Sequence, residues 1–376
     1  MEQAYRCVGA RPFSTNWVAI LNSRQGRYPQ QGEEWIGATL SAVRQATRQG
    51  KAVLTSLGLH TWEISLWAAG VYGARAAVVL PSYEEESFGG IAHEFNLQRD
   101  RLTGFLFTTI HRPHQPKASW PDRDRLVITI ADELWPISVR PGGNIERLIQ
   151  QARSEGKPIV EHHRVAYEPV RGSSVQRIPE SDLATWTHQT DWPYLTHWTH
   201  SFDGPWPGER KAEYYEDLCR EGTGNPRSAL NTLSRILTEG RIRGSSFRMP
   251  GNRRAVAFTE LAPAMALQEM RYRKRFQRWS FEPYGIAMKR EKLQTLGACS
   301  VVYDNSPSGA KDLFVQGQRS GKADWSGQRE WRLPGDLDLT RFEPSEGLIL
   351  VRNTEDKETV KEISQWPVFV LTTDNS

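Results

Sequence analysis

The amino-acid sequence predicts an α/β chain: a parallel-sheet half in which strands alternate with helices, then an α+β half on a mostly antiparallel sheet. Three observations carry this. From Trp17 onward, short apolar runs alternate with helical periodicity and turn residues, the pattern of a parallel sheet with helical crossovers. Beyond residue 193, strand-like runs at 255–258, 285–288, 300–303, 330–333, 348–351 and 368–371 complete a mostly antiparallel set. Length and composition agree: 376 residues, 38% hydrophobic and 24% charged, suit a globular chain of two to three domains.

In the first half, residues 18–21 form a strand ending at Asn22, Ser23 and Arg24. Ile36, Leu40, Val43 and Thr47 mark one helical face, and Gly50 ends it. A second strand at 52–55 runs into the loop from Ser56 through Gly58 to Thr61. Ile64, Trp67, Ala68 and Val71 then lie on one face of a helix that Gly73 stops. A third strand at 76–80 is closed by Pro81, and an acidic loop follows at 84–86. Further strands are predicted at 103–108 and 126–130. Between them His111 and His114 sit in a proline-bounded loop with no third ligand near, so no metal site is predicted.

Arg140, Pro141, Gly142, Gly143 and Asn144 open a helix carrying Ile145, Leu148, Ile149 and Ala152 on one face, followed by a strand at 157–160. A glycine pair before a helix N-terminus lets the backbone approach an anion, which the free N–H groups and the dipole then hold. The alternative is an ordinary strand-to-helix turn.

This order of elements resembles the SLOG superfamily of nucleotide-binding Rossmann-like domains, which includes the DNA-processing protein A fold and the cytokinin-activating phosphoribohydrolases. The resemblance covers 17–165 and is strongest at 55–58 and 141–146. It implies a nucleotide-derived ligand held by Asn22, Arg24, Ser56, Gly58, Arg140, Gly142, Gly143 and Glu146. The phosphoribohydrolases carry Pro-Gly-Gly-x-Gly-Thr-x-x-Glu. Here Asn144, Ile145 and Glu146 replace the Gly-Thr and shift the acid, which favours binding over hydrolysis. Release of a base from a nucleoside monophosphate at the 141–143 turn, with Glu146 as the acid, is the competing activity.

Residues 168–192 read as a linker between a domain at 1–167 and a domain at 193–376, with Trp186, Trp192, Trp198 and Trp206 crowding the junction. The second half opens on a strand, 194–200. Alternation puts Thr196, Trp198 and His200 on one face and Leu195, His197 and Thr199 on the other. Buried together, His197 and Thr199 offer an imidazole and a hydroxyl to one ligand; the alternative is a structural strand edge. A polar helix at 213–220 precedes one at 227–239 whose Leu230, Leu233 and Leu237 are spaced for burial and which Gly240 stops. The strand at 255–258 ends in Thr259 and Glu260, and Pro263 suits the first turn of the next helix.

The His-x-Thr strand, the helix ending at Gly240, the Ser245-Ser246 turn, the strand closed by Thr259-Glu260 and the late strand from Gln328 to Arg332 resemble the ADP-ribosyltransferase fold over 194–353. Within that fold they look nearest to DNA-targeting toxins and abortive-infection proteins of bacteria. The resemblance implies NAD as cofactor, His197, Thr199 and Thr259 as its contacts, Glu330 as the catalytic acid and a role in anti-phage defence. A carboxylate would stabilise the oxocarbenium-like charge that builds as nicotinamide leaves. The other reading of Glu330 is a solvated strand residue paired with Arg332.

Arg271, Arg273, Lys274, Arg275 and Arg278 interleave with aromatics at 271–281, which suits DNA or RNA: phosphates for the cations, bases for the rings. The competing reading is an amphipathic helix with its arginines solvated. Net charge is only +4, so a polyanionic partner is permitted and not required. Cys7, Cys219 and Cys299 have no paired spacing, no apolar run reaches the length of a membrane span and no signal-peptide core is seen. A cytoplasmic protein without a membrane partner is therefore expected, with homo-oligomerisation left open.

Overall fold

The structure, a computed structural model, describes residues 5–9, 16–80, 85–107, 120–169, 177–246, 249–274, 278–304, 313–317 and 326–373. The chain divides into two compact units: Met1–Arg171 with Asp203–Pro226, and Gly172–Phe202 with Arg227–Ser376. The returning segment Asp203–Pro226 lies within the stretch assigned above to the second domain.

The first unit holds strands β1 (Tyr5–Gly9), β2 (Trp17–Leu21), β3 (Ala52–Ser56), β4 (Ala76–Leu80), β5 (Leu102–Phe107) and β6 (Glu133–Pro136). Its helices are α1 (Glu34–Arg48), α2 (His60–Tyr72), α3 (Glu85–Glu94), α4 (Trp120–Ile130), α5 (Asn144–Ser154) and, from the returning segment, α6 (Lys211–Cys219). The sheet order is β1-β5-β4-β3-β2-β6, parallel except where β1 meets β5. This is the expected Rossmann-like sheet. Strands β2, β3 and β4 are buried along their whole length because helices cover both faces. Alternation sends Val18, Ile20 and Val53 into a core with α1, α2 and α6, and Ala19, Leu21 and Leu54 into a second with α4 and α5. The chain adds β3, β4 and β5 on one side of β2 and then places β6 on the other. The sheet order therefore reverses between β2 and β6, the kind of switch point where α/β sheets bind ligands at their carboxyl ends.

Several local expectations give way. Residues 126–130 are helical, the last turns of α4, with Val127 and Ile128 buried. Strand propensity in Leu-Val-Ile-Thr-Ile yields to tertiary burial. The acidic stretch begins α3 at Glu85, and Glu84 lies outside the described residues. At 157–160 one bridge forms, Leu134 with Ile159. Val71, placed by periodicity on the buried face of α2, is 56% exposed, since α2 is apolar nearly all round and spacing does not single out one face. His111 and His114 lie outside the described residues.

The second unit holds β7 (Tyr194–Trp198), β8 (Arg241–Ile242), β9 (Ala255–Thr259), β10 (Tyr272–Arg273), β11 (Arg278–Trp279), β12 (Gly285–Lys289), β13 (Cys299–Ser300), β14 (Val302–Asp304), β15 (Val315–Gly317), β16 (Glu330–Pro334), β17 (Leu337–Asp338), β18 (Gly347–Val351) and β19 (Val368–Val370). Its helices are α7 (Ala229–Glu239), α8 (Pro263–Gln268), α9 (Arg290–Thr295) and α10 (Thr354–Lys361). The main sheet, β13-β16-β9-β7-β12-β18-β19, is antiparallel except for β18 with β19, as expected. Gly240 ends α7 in the left-handed conformation at φ 61°. Among the described residues, no helix is long and apolar enough to cross a membrane.

Candidate functional sites in two clefts

In the first unit a cleft of about 350 Å³ opens where the loops after β2 and β3 meet α2 and α6. Leu59, the N-cap of α2, supplies no side-chain hydrogen bond to the helix, and His60 and Thr61 of the first turn line the cleft. Thr61 is 2% exposed, and its hydroxyl finds no hydrogen-bond partner among the described residues; the same holds for Oε1 of Gln25, another lining residue. Polar groups buried in this way normally have partners.

Around them sits a charged network. The Glu63 carboxylate accepts from the Gly58 amide (2.9 Å), from Lys211 Nζ (2.5 Å) and from the Tyr215 hydroxyl (2.9 Å). His60 Nδ1 lies 3.1 Å from the same hydroxyl. Burial lowers the proton affinity of His60 and raises the pKa of Tyr215 well above its ordinary value, the latter helped by the Glu63 charge. Arg27 pairs with Asp203, and the exposed Arg24 adds a positive charge to the mouth.

Of the eight ligand contacts predicted for this half, Arg24 and Gly58 line the cleft. The other six do not. Asn22 is buried and ties β2 to its neighbours, donating to Thr39 Oγ1 (3.0 Å) and accepting from the Ser138 amide (3.2 Å). The Ser56 hydroxyl donates to the Val79 carbonyl (2.7 Å). The Arg140 amide donates to Ser23 Oγ (2.9 Å). Gly142, at φ 68°, donates its amide to the Glu146 carboxylate at 2.6 Å, so the turn ahead of α5 already holds an anion of its own. Gly143 needs its missing side chain for packing: a Cβ there would come within 2.9 Å of the Arg140 carbonyl. Hydrogen bonds thus tie the ends of β2 and β6 together, while the cleft described here opens beside the loops after β2 and β3. His60, Thr61, Glu63, Lys211 and Tyr215 were missed. The Leu-His-Thr start of a helix without a capping residue was a readable signal; the α6 contribution, from a segment far along the chain, was not.

The second unit holds a cleft of about 460 Å³. Register decides who faces it. Thr196 pairs with Thr259, and Thr259 with Glu330, so these three share one face across β7, β9 and β16, and all line the cleft. His197 is one residue out of step and leaves the opposite face. There its ring meets Phe258 edge-on at 5.9 Å, and Nδ1 bonds the Ala257 carbonyl at 2.9 Å. The Thr199 hydroxyl lies 2.9 Å from the Ala229 carbonyl and 3.1 Å from that of Tyr284, which fixes the start of α7. The expected joint grip of His197 and Thr199 with Glu330 therefore does not form. It fails because a period of two leaves the choice of face open, and the structure chose Thr196 and Trp198.

Glu330 accepts from Arg332 Nε at 2.7 Å and from the Tyr303 hydroxyl at 3.4 Å. Thr259 Oγ1 donates to the Gln328 carbonyl (2.7 Å) and accepts from the Leu261 amide (3.2 Å). Trp198 stacks on Phe281 with centroids 5.4 Å apart, and its buried indole Nε1 has no acceptor among the described residues. The described residues of 271–281 form no helix: β10 and β11 form an antiparallel pair, Tyr272 opposite Trp279 and Arg273 opposite Arg278. Arg273 and Arg278 line the cleft, whereas Arg271 and Lys274 are exposed and Arg275 lies outside the described residues. Among the described residues, no cluster of three or more His, Cys, Asp and Glu side chains is placed to hold a metal ion.

No family model matches the chain, and no curated protein matches it. Solved structures that resemble it include DNA processing protein A from Helicobacter pylori, described for its mode of binding single-stranded DNA (18% identity, TM-score 0.30, 41% of this chain and 68% of that one). Others are DNA processing protein A from Streptococcus pneumoniae (12% identity, TM-score 0.31, 39% and 49%) and the molybdenum cofactor carrier protein from Chlamydomonas reinhardtii (16% identity, TM-score 0.26, 39% and 74%). Likeness of this degree assigns no activity to the chain.

Proposed function

We propose that the chain is a nucleotide-binding protein whose first unit takes the phosphorylated end of a nucleotide-derived ligand at the N-terminus of α2. The observation that carries this is the buried, unpartnered Thr61 hydroxyl in the first turn of a helix without a side-chain cap, beside Arg24 and Lys211. Helix N-termini favour anions through their free amides and dipole, and a hydroxyl already buried there incurs no further desolvation when a phosphate arrives. The test is a thermal-shift and calorimetric titration with mono-, di- and dinucleotides. Thr61→Val removes a hydroxyl and keeps the shape. We expect it to raise the stability of the unliganded chain by about 1 kcal/mol, since an unpartnered buried group is lost, and to weaken the ligand about tenfold. Equal affinity in both chains rules the site out.

For the second unit we infer NAD as the ligand, cleaved at the nicotinamide–ribose bond in ADP-ribosyl transfer or hydrolysis, with DNA or RNA as an acceptor. What supports this is the Glu330 carboxylate on the cleft floor beside Thr259. In that reaction the bonding pair leaves with nicotinamide, C1′ becomes cationic, and an acceptor oxygen or water attacks it while Glu330 stabilises the charge. His197 has no part in it. Nicotinamide release from NAD, with and without nucleic acid, is the measurement; release undiminished in Glu330→Gln removes the assignment.

A further inference from the structure

Gln25 lies in the loop after β2, is only 7% exposed and lines the first unit's cleft. Its amide is oriented from behind. Ser138 Oγ donates its proton to the Ala166 carbonyl at 3.0 Å, so toward Gln25 it can only accept, and Gln25 Nε2 donates to it at 3.0 Å. Turned over, the amide would set its oxygen against that hydroxyl's lone pair and toward the Ser138 carbonyl, which lies 3.5 Å from Nε2. Oε1 is therefore held on the other side, buried and with no donor among the described residues. The carboxylates lining the cleft differ in this respect: Glu63 accepts from Gly58, Lys211 and Tyr215, and Asp203 from Arg27. A buried amide oxygen without a donor is costly, and a ligand that brings the donor relieves that cost.

We propose that Gln25 Oε1 selects the sugar of the first unit's ligand: it accepts a hydrogen bond from a ribose hydroxyl, so the site takes ribonucleotides and rejects analogues that lack that hydroxyl. This deepens the reading in which Thr61 and the start of α2 take the ligand's phosphate, and it rests on that reading. An ionised phosphate offers only acceptors, so another part of the ligand meets Oε1. In a nucleotide the group joined to the phosphate is the sugar, whose hydroxyls are neutral donors, and the base is farther off. Thr61 and Gln25 line one cleft of about 350 Å³, at the small end of ligand pockets, which suits adjoining parts of one molecule. With the hydroxyl bound, the Gln25 amide is satisfied at both ends. Without it, the oxygen stays buried and unsatisfied, and discrimination follows.

Calorimetric titration of the full chain compares AMP, GMP, CMP and UMP, each with its 2′,3′-dideoxy analogue, and inorganic pyrophosphate. Within a pair the phosphate and the base are the same, so the ratio of affinities reads the sugar alone. The parent chain is expected to favour the ribonucleotide about tenfold or more. Gln25→Met keeps the length of the side chain and removes the acceptor. It is expected to bring the ratio close to one and to leave pyrophosphate affinity unchanged, which also reports a folded cleft. Thr61→Val is expected to weaken pyrophosphate and both members of each pair alike. A parent ratio near one, or a ratio that survives in Gln25→Met, would overturn the role of Gln25 while the phosphate reading stands on Thr61→Val. An equal loss for both members of a pair in Gln25→Met would also overturn it, by placing the donor on the base. A parent chain that binds neither the nucleotides nor pyrophosphate would overturn both.

Discussion

Glu330 and Arg332 lie two residues apart on β16 and so leave the same face, and their ion pair has consequences beyond any ligand. Arg332 is 2% exposed, donates through Nη1 to the Leu313 carbonyl, and pairs with the Glu330 carboxylate through Nε and Nη2. A buried ion whose partner is removed costs about 3 to 5 kcal/mol. Glu330→Gln is therefore not silent toward folding. We expect it to lower the unfolding free energy of the second unit by an amount in that range, read as a lower denaturation midpoint. Arg332→Met with Glu330→Gln, which removes both charges, should recover most of the loss. If Glu330→Gln unfolds at the parent's midpoint, the pair is not load-sharing and Glu330 is held in the cleft for its chemistry alone. The first unit shows the same logic with the opposite outcome: Glu63, 6% exposed, gathers three donors, so its charge is satisfied before any ligand binds.

At the level of the element, periodicity and end signals were legible and direction was not. Gly73 and Gly240 stop α2 and α7 where the pattern ends, because a residue past a helix C-terminus needs positive φ and glycine supplies it. Residues 126–130 and 271–281 misled for complementary reasons: a β-branched run was drawn into a helix by burial, and an arginine-aromatic run with helical spacing became a strand pair. His197 shows the deeper limit, since alternation fixes which residues share a face and only the register fixes which face meets the cleft. Its actual place has a pH signature. Burial, the larger influence, lowers its proton affinity below the ordinary 6.5, and the Ala257 carbonyl pulls weakly the other way. The unfolded chain then takes up the proton first as pH falls. The stability His197 contributes is complete above pH 6.5 and declines on acidification toward its lowered folded value, by at most about 1.4 kcal/mol per pH unit for one proton. His197→Asn, whose side-chain N–H can still reach the Ala257 carbonyl, should flatten that decline below pH 6.5. An unchanged slope would mean that the imidazole charges freely in the folded strand.

For the molecule as a whole, the order of the chain matters more than any local pattern. The first unit is assembled from two stretches with part of the second unit between them, and nothing in composition marks Asp203–Pro226 as a return. The helix of α6 and its polar character can be read from its residues, but its destination cannot. In the structure Ala212, Tyr214, Tyr215 and Leu218 join the core on the α1 and α2 side of the sheet, while Lys211 and Tyr215 reach Glu63 at the cleft. Packing and site are therefore coupled through one nine-residue helix. Leu218 is wholly buried in the core behind the cleft and does not line it, so Leu218→Ala tests that coupling. A leucine-to-alanine cavity costs about 2 to 5 kcal/mol when its surroundings relax only in part. We expect a lower melting midpoint for the first unit and weaker nucleotide binding there, because α6 is the wall that loosens. A stability loss that leaves first-unit affinity intact would show that α6 merely covers the sheet.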